Sequence, residues 1–203
     1  MRLEQTRQSL HGIAELLLAG PQYQRDGTIR LRVVPGAIAT VTLPELRADH
    51  LNVWFDGTVV PVRGASYAEL ASRLGVVAGG TEGLYHDGSG AQPSEHPELD
   101  PEAALALLDA LHRGDQALRS FAPDATPVLW PEHFDVGITL DDVNYGVSPG
   151  DGYLGEPYMY IGPYKPRTGE FWNAPFGAAR PLTATVEEIA EFFGEGRRLA
   201  AEC

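Results

Sequence analysis

The sequence has almost no cysteine and almost no lysine. Its one cysteine, Cys203, is the last residue. No internal disulfide can form, and a chain end is a poor seat for a nucleophile, which needs a fixed electropositive setting. The expectation is a cytoplasmic protein indifferent to redox state. Lysine occurs once, as Lys165, against fourteen arginines. Arginine codons are GC-rich, so the bias speaks for a high-GC genome rather than for a function. Basic charge is scarce overall, with 15 Lys and Arg against 28 Asp and Glu and a net charge of −13. That excludes long-range attraction to nucleic acid or to an anionic membrane, both polyanions, and leaves a local basic patch open. No apolar run approaches the roughly 18 residues of a membrane span. The opening M-R-L-E-Q-T-R is polar and periodic, unlike a secretory signal.

What remains is an ordinary globular composition, 43% hydrophobic over 203 residues. That length suits one domain, or two intimate halves, with a real core. Leu3, Thr6, Leu10, Ile13 and Leu17 recur at helical spacing, and Gly20-Pro21 is expected to stop that helix. Thr28 to Val33 alternates as a half-buried strand, and Ala37 to Leu43 follows as a second. Leu51 to Arg63 is a hairpin about Asp56-Gly57, since Asp-Gly accepts the positive φ of a two-residue turn. Ser66-x-x-Glu69 and Thr185-x-x-Glu188 are capping boxes opening helices. Residues 76–99, rich in Gly, Pro and Ser, read as a linker or long loop joining halves 1–75 and 100–203. Asp100-Pro101-Glu102 starts a long helix to about Ser120. Val128 to Leu140, Val143 to Val147, Pro157 to Gly162 and Phe171 to Phe176 read as extended. The expected class is α+β: a mainly antiparallel sheet or sheets packed against about four helices. Element order admits two pseudo-repeated helix–four-strand–helix halves; the plainer alternative is a single mixed sheet covered by helices on one side.

Trp130 to Phe176 is the densest chemical stretch. It holds ten of the eighteen aromatic residues and seven acidic residues against Lys165 and Arg167. On an extended segment His133 and Asp135 point to one face roughly 7 Å apart, with Glu132 beside Trp130 and Phe134 on the other. An imidazole and a carboxylate on one cavity can orient water, hold a metal or exchange protons. Asp151 and Glu156 in the following loop complete the candidate catalytic set. Trp130, Tyr158, Tyr160, Trp172 and Asn173 are the candidate ligand-binding residues, because aromatic walls with a few polar groups make pockets. The bland alternatives are a hydrogen-bonded turn for the first set and a packed core for the second.

Other motifs carry less. Asp142-Val143-Asn144-Tyr145-Gly146 fails as a calcium loop because Gly146 and Tyr153 stand where ligands are required. Ser148 to Gly152 has no lysine and is no phosphate loop. His86, Asp87 and Ser89 lack the strand-to-helix setting of a hydrolase nucleophile, and His86 and Asp87 fit a lid over the Trp130 region better. Arg30, Arg32, Arg47 and Arg63 form either an anion site or a salt-bridged face.

The second half resembles an uncharacterised group of bacterial domains of unknown function. The resemblance rests on Trp130, Phe134 and Asp135, then Pro149, Gly150 and Asp151, then Glu156, Pro157, Tyr158 and Tyr160. It covers residues 101 to 200 and implies one compact domain in a high-GC bacterium, with no activity to transfer. Three readings follow. The first is a small-molecule-binding protein with an aromatic and acidic pocket. The second is a hydrolase- or lyase-like enzyme using His133 with carboxylates, with or without metal. The third is an interaction or homodimeric module, since aromatics are enriched at interfaces. The sequence leaves any metal or cofactor unidentified.

Overall fold

A computed structural model describes residues 2–81, 83–183 and 185–202. Cys203 lies outside them. Among the described residues ten strands, every described pairing antiparallel, accompany four helices, the first of them continuous through a π-helical turn, as an α+β chain requires. Contacts divide the chain into two compact units, Met1–Asp109 with Leu129–Phe134, and Ala110–Val128 with Asp135–Cys203. No helix among the described residues is long and apolar enough to cross a membrane.

Unit one begins with a continuous helix, α1 (Arg2–Ile13), a π-helical turn (Ala14–Ala19) and α2 (Gly20–Asp26). Gly20-Pro21 does not stop it, contrary to expectation. Pro21 has no N–H to give to a preceding carbonyl. The helix absorbs the loss by widening one turn, so that Gly20 N–H reaches Glu15 O, five residues back. The Leu16 carbonyl, five residues before Pro21, accepts instead from Gly79 N–H at 3.0 Å. Gly20 is needed for that approach, because a Cβ there would sit 1.9 Å from Gly79 O. The true stop is Gly27, whose φ of 72° is the left-handed conformation glycine adopts freely.

The strands β1 (Leu31–Val34), β2 (Ala37–Thr40), β3 (Leu46–Ala48), β4 (Asn52–Phe55) and β5 (Thr58–Pro61) follow as a meander. β6 (Val128–Trp130) joins β1 through the pair Leu31 and Leu129. One face of the meander, including Leu31, Ile38, Ala48 and Val53, is fully buried, and the π turn packs against β1, β2 and β3. Each such aliphatic burial contributes roughly 1.5–3 kcal/mol. β3 was not foreseen, because three residues are too few to show a period. Gln22, fully buried, staples α2 to the strands. Its Nε2 donates to Thr28 O and Arg30 O at 2.9 and 2.8 Å, and its Oε1 accepts from Val41 N at 2.7 Å. α3 (Tyr67–Leu74) opens with the Ser66–Glu69 capping box, formed in both directions. It packs on β4 and β5.

α4 (Pro101–Phe121) contributes its first nine residues to unit one and the rest to unit two. Unit two is otherwise a four-stranded meander of β7 (Asp135–Leu140), β8 (Val143–Ser148), β9 (Tyr158–Pro163) and β10 (Ala178–Pro181). α5 (Val186–Ala201), opened by the Thr185–Glu188 capping box, packs on β8 and β9. Ile161 lies under Gly196 of α5, and Val136 and Val147 lie under Gly114 of α4. Tyr145 meets Phe121 and Phe193 on the same side. The helices therefore cover the face bearing Tyr145, Val147 and Ile161. The alternation read for β9 holds, and Tyr158 and Tyr160 occupy the opposite face.

Two extended segments need correction. Residues 131–134 form a turn, closed by Phe134 N–H donating to Trp130 O at 2.8 Å, with Phe134 at φ 54°. Pro131 ends the β6 ladder because it cannot donate, so strand periodicity does not carry from Trp130 to Asp135. His133 sits in that turn and Asp135 opens β7. Residues 171–176 make only a bridge, Ala174 with Gly177, and the last strand is β10. Taken by order alone, helix, five strands and helix occur twice along the chain.

Candidate functional site

Of the residues the sequence grouped, unit two brings together Asp135, Asp151, Tyr158 and Tyr160. The ladder does the positioning. Gly137, Gly146 and Tyr160 are cross-strand neighbours on β7, β8 and β9. A Cβ on Gly146 would meet the Tyr160 hydroxyl at 2.5 Å, so the ring lies flat across the glycines and reaches β7. There its hydroxyl donates to Asp135 Oδ2. Asp135 is 8% exposed. Two residues before Tyr160 on the same face, Tyr158 donates to Asp151 Oδ2 at 2.5 Å. Asp151 Oδ1 accepts from the backbone N–H of Tyr153 and Leu154 at 2.8 and 3.1 Å, folding the loop upon itself.

Tyr153 and Phe176 close over this network, with ring centroids 5.0 Å apart and Tyr153 5.8 Å from Tyr158. Rings at that separation are in packing contact and enclose no space between them. Burial, with the adjacent aspartate charges, pushes both tyrosine hydroxyls above their ordinary range. They stay protonated and serve as donors. The arrangement is a hydrogen-bond network laid across one face of the sheet.

The remaining candidates stand apart from it. Glu156 is exposed. Asn173 uses its whole amide on one residue, donating to Ala179 O at 3.1 Å and accepting from Ala179 N at 2.9 Å, and so stands in for a missing strand partner of β10. Trp172 packs edge-on against Phe171. Trp130 belongs to unit one, where Arg30 lies over its ring at 5.8 Å. His133, also in unit one and more than half exposed, has its carboxylate neighbour next door, Glu132 Oε1 at 3.2 Å.

Unit one holds a second carboxylate network that sequence reading missed. Glu15, on the π-helical turn, is 5% exposed. Its Oε1 accepts from the Tyr85 hydroxyl and its Oε2 from Ser89 N–H, both at 2.8 Å. Burial and the Glu15 charge raise the Tyr85 hydroxyl above its ordinary range. His11, one turn earlier, stacks on Phe134 with centroids 5.4 Å apart and donates from Nε2 to Pro131 O at 2.6 Å. Burial lowers its pKa, against the opposing pull of Glu15. The one available signal was a lone acid in the apolar run Ile13-Ala14-Glu15-Leu16-Leu17-Leu18. A buried glutamate requires partners, and these come from the segment read as a linker.

That segment also lines two cavities of unit one. One, of about 670 Å³, is lined by Gln5, His50, Arg63, His96, Glu98 and Asp100 over an apolar floor that includes Val62 and Leu99. A second, of about 550 Å³, shares Gln5, His96 and Glu98 with it and runs to Ser89 and Tyr67. Backbone hydrogen bonds place these residues. Val62 N–H donates to Leu51 O at 2.9 Å, and Tyr67 and Ala68 N–H donate to Glu95 O and Pro93 O at 3.0 and 2.8 Å. No three His, Cys, Asp or Glu side chains among the described residues are grouped to hold a metal ion. No family model, curated protein or solved structure matches the chain.

Proposed function

We propose that the chain is a small-molecule-binding protein whose ligand seat is the larger of these two cavities of unit one. The observation that carries this reading is the cavity itself: about 670 Å³, within the usual range of ligand pockets, with polar side chains set around an apolar floor. The sequence led to the same class of function but placed the pocket between Trp130 and Trp172. The tyrosines there are packed ring against ring, and their hydroxyls are spent on Asp135 and Asp151. An enzymatic reading built on His133 has less support. Its imidazole is exposed beside Glu132, and Asp151 is committed to a turn and to Tyr158.

The test is calorimetric titration and thermal shift with a metabolite panel, on wild type and on Gln5→Trp. Gln5 is an exposed residue of α1 that lines both cavities, so the indole fills space without disturbing the core. The expected result is a ligand that raises Tm as mass action requires and whose effect is lost in Gln5→Trp. A ligand that binds the variant as well as wild type would refute this seat.

A further inference from the structure

We infer that the group recognised in this cavity is an oxyanion, a carboxylate or phosphate on a small molecule, held by Arg63 with His50 and His96. The inference rests on the reading above and specifies its ligand class. It starts from which charges the chain has already used. Both carboxylates lining the cavity are committed. Glu98 Oε2 accepts from Gln5 Nε2 at 2.6 Å. Asp100 Oδ1 caps α4 by accepting from Ala103 N–H at 3.0 Å, and its Oδ2 lies 3.6 Å from Arg2 Nη1.

Among the donors, Arg63 is in the opposite condition. Arg63 is exposed at the cavity and has no carboxylate partner among the described residues, in a chain where acids outnumber bases 28 to 15. Other arginines of this acidic surface do have one, as Arg32 has Glu45 and Arg197 has Asp141. A guanidinium left over at a cavity mouth presents a planar fork of donors matched to a carboxylate or phosphate.

His50 and His96 add N–H donors from two other segments. His50 lies between β3 and β4, with its Nδ1 4.0 Å from Asp49 Oδ1. His96 precedes α4 on the segment tied to the first turn of α3. The three donors thus come from separate stretches that converge only in the fold, each beside a residue held by a backbone bond: Asp49 on Asn52, Val62 on Leu51 and Glu95 on Tyr67. Convergence of that kind distinguishes a built site from a run of surface charge.

Titration of inorganic phosphate and of citrate at low ionic strength tests the inference and separates the two oxyanion sources. The proteins are wild type, Arg63→Gln, Arg63→Lys and Gln5→Trp, with circular dichroism confirming the fold of each. We expect at least one anion to bind wild type, about tenfold or more weaker binding in Arg63→Gln, a smaller loss in Arg63→Lys, and none in Gln5→Trp. Equal binding by wild type and Arg63→Gln overturns the inference. So does a neutral or cationic metabolite that binds where neither anion does; if Gln5→Trp blocks that metabolite, the cavity stands as the seat and only the ligand class falls. If no compound binds, or Gln5→Trp changes nothing, the seat and the class fall together.

Discussion

Each unit buries a carboxylate against a tyrosine hydroxyl, and the two pairs are built in different ways. In unit two, Asp135 and Tyr160 lie on strands separated only by β8, so the ladder register sets their meeting. In unit one, Glu15 is on a helix and Tyr85 is 70 residues further along the chain in a segment without regular structure. Nothing local brings them together. Unit two supports its pair with a row of interstrand hydrogen bonds. Unit one holds its strap with a few contacts: Tyr85 and Ser89 on Glu15, and Gly79 on Leu16 in the space left by Gly20. The lesson is that a buried acid has opposite structural meanings in the two places. In unit two it completes a surface that is already ordered. In unit one it is what orders the surface.

The largest expected effect breaks the unit one pair. Glu15→Ala leaves Ser89 N–H and the Tyr85 hydroxyl without their acceptor and opens a void on the π turn. Two lost charge-assisted bonds predict about 3 kcal/mol of destabilisation. Hydrogen exchange should show protection falling across 83–91 while amides of β8 and β9 keep theirs. Uniform loss across both units would mean that the strap is not an independent element.

A smaller effect is expected from Tyr160→Phe, which removes the hydroxyl from Asp135 but keeps the ring over Gly137 and Gly146. About 1–2 kcal/mol is anticipated by chemical denaturation, because a buried carboxylate loses one donor while the ladder persists. A loss as large as that of Glu15→Ala would erase the contrast between the units.

The smallest effect is in pH dependence. The folded pKa of His11 is lowered, chiefly by burial. Well above about pH 6.5, the ordinary histidine value, the ring is neutral in both states. As pH falls below that value the unfolded chain takes up a proton that the folded chain resists, so stability falls toward acid. The slope for one proton is at most about 1.4 kcal/mol per pH unit. His11→Phe, which keeps the stack on Phe134, should flatten urea midpoints between about pH 5 and 7. Tyr158 and Tyr160 act in the other direction. Their raised pKa values predict stability lost as pH rises past about 10, where the unfolded tyrosines ionise first. An unchanged acid slope in His11→Phe would show that other groups set it.

Sequence periodicity revealed the α+β class, both capping boxes, the Asp56-Gly57 hairpin, and the face of β9 that carries Tyr158 and Tyr160. These are local properties. A capping box needs four residues, and alternation on a strand needs five or six. The convergence of Asp135, Asp151, Tyr158 and Tyr160 was half legible, because all four lie within one meander of short connections.

Tertiary structure alone decided the rest. Pro21 reads as a stop in any local window, and only the Gly79 N–H, arriving from elsewhere to serve the Leu16 carbonyl, lets the helix pass it. His133 and Asp135 read as a pair until the 131–134 turn, seated by the stack of His11 on Phe134, ends the strand between them. Residues 76–99 read as a linker because they have no period. They are a wall of the cavity because their backbone and side-chain bonds are made to residues far along the chain, as when Glu98 N–H meets Ser9 Oγ, 89 positions away, at 2.9 Å. Periodicity reports which side of an element is buried. It carries no information about which distant groups meet there, and both the Glu15 network and the Arg63 cavity are meetings of that kind.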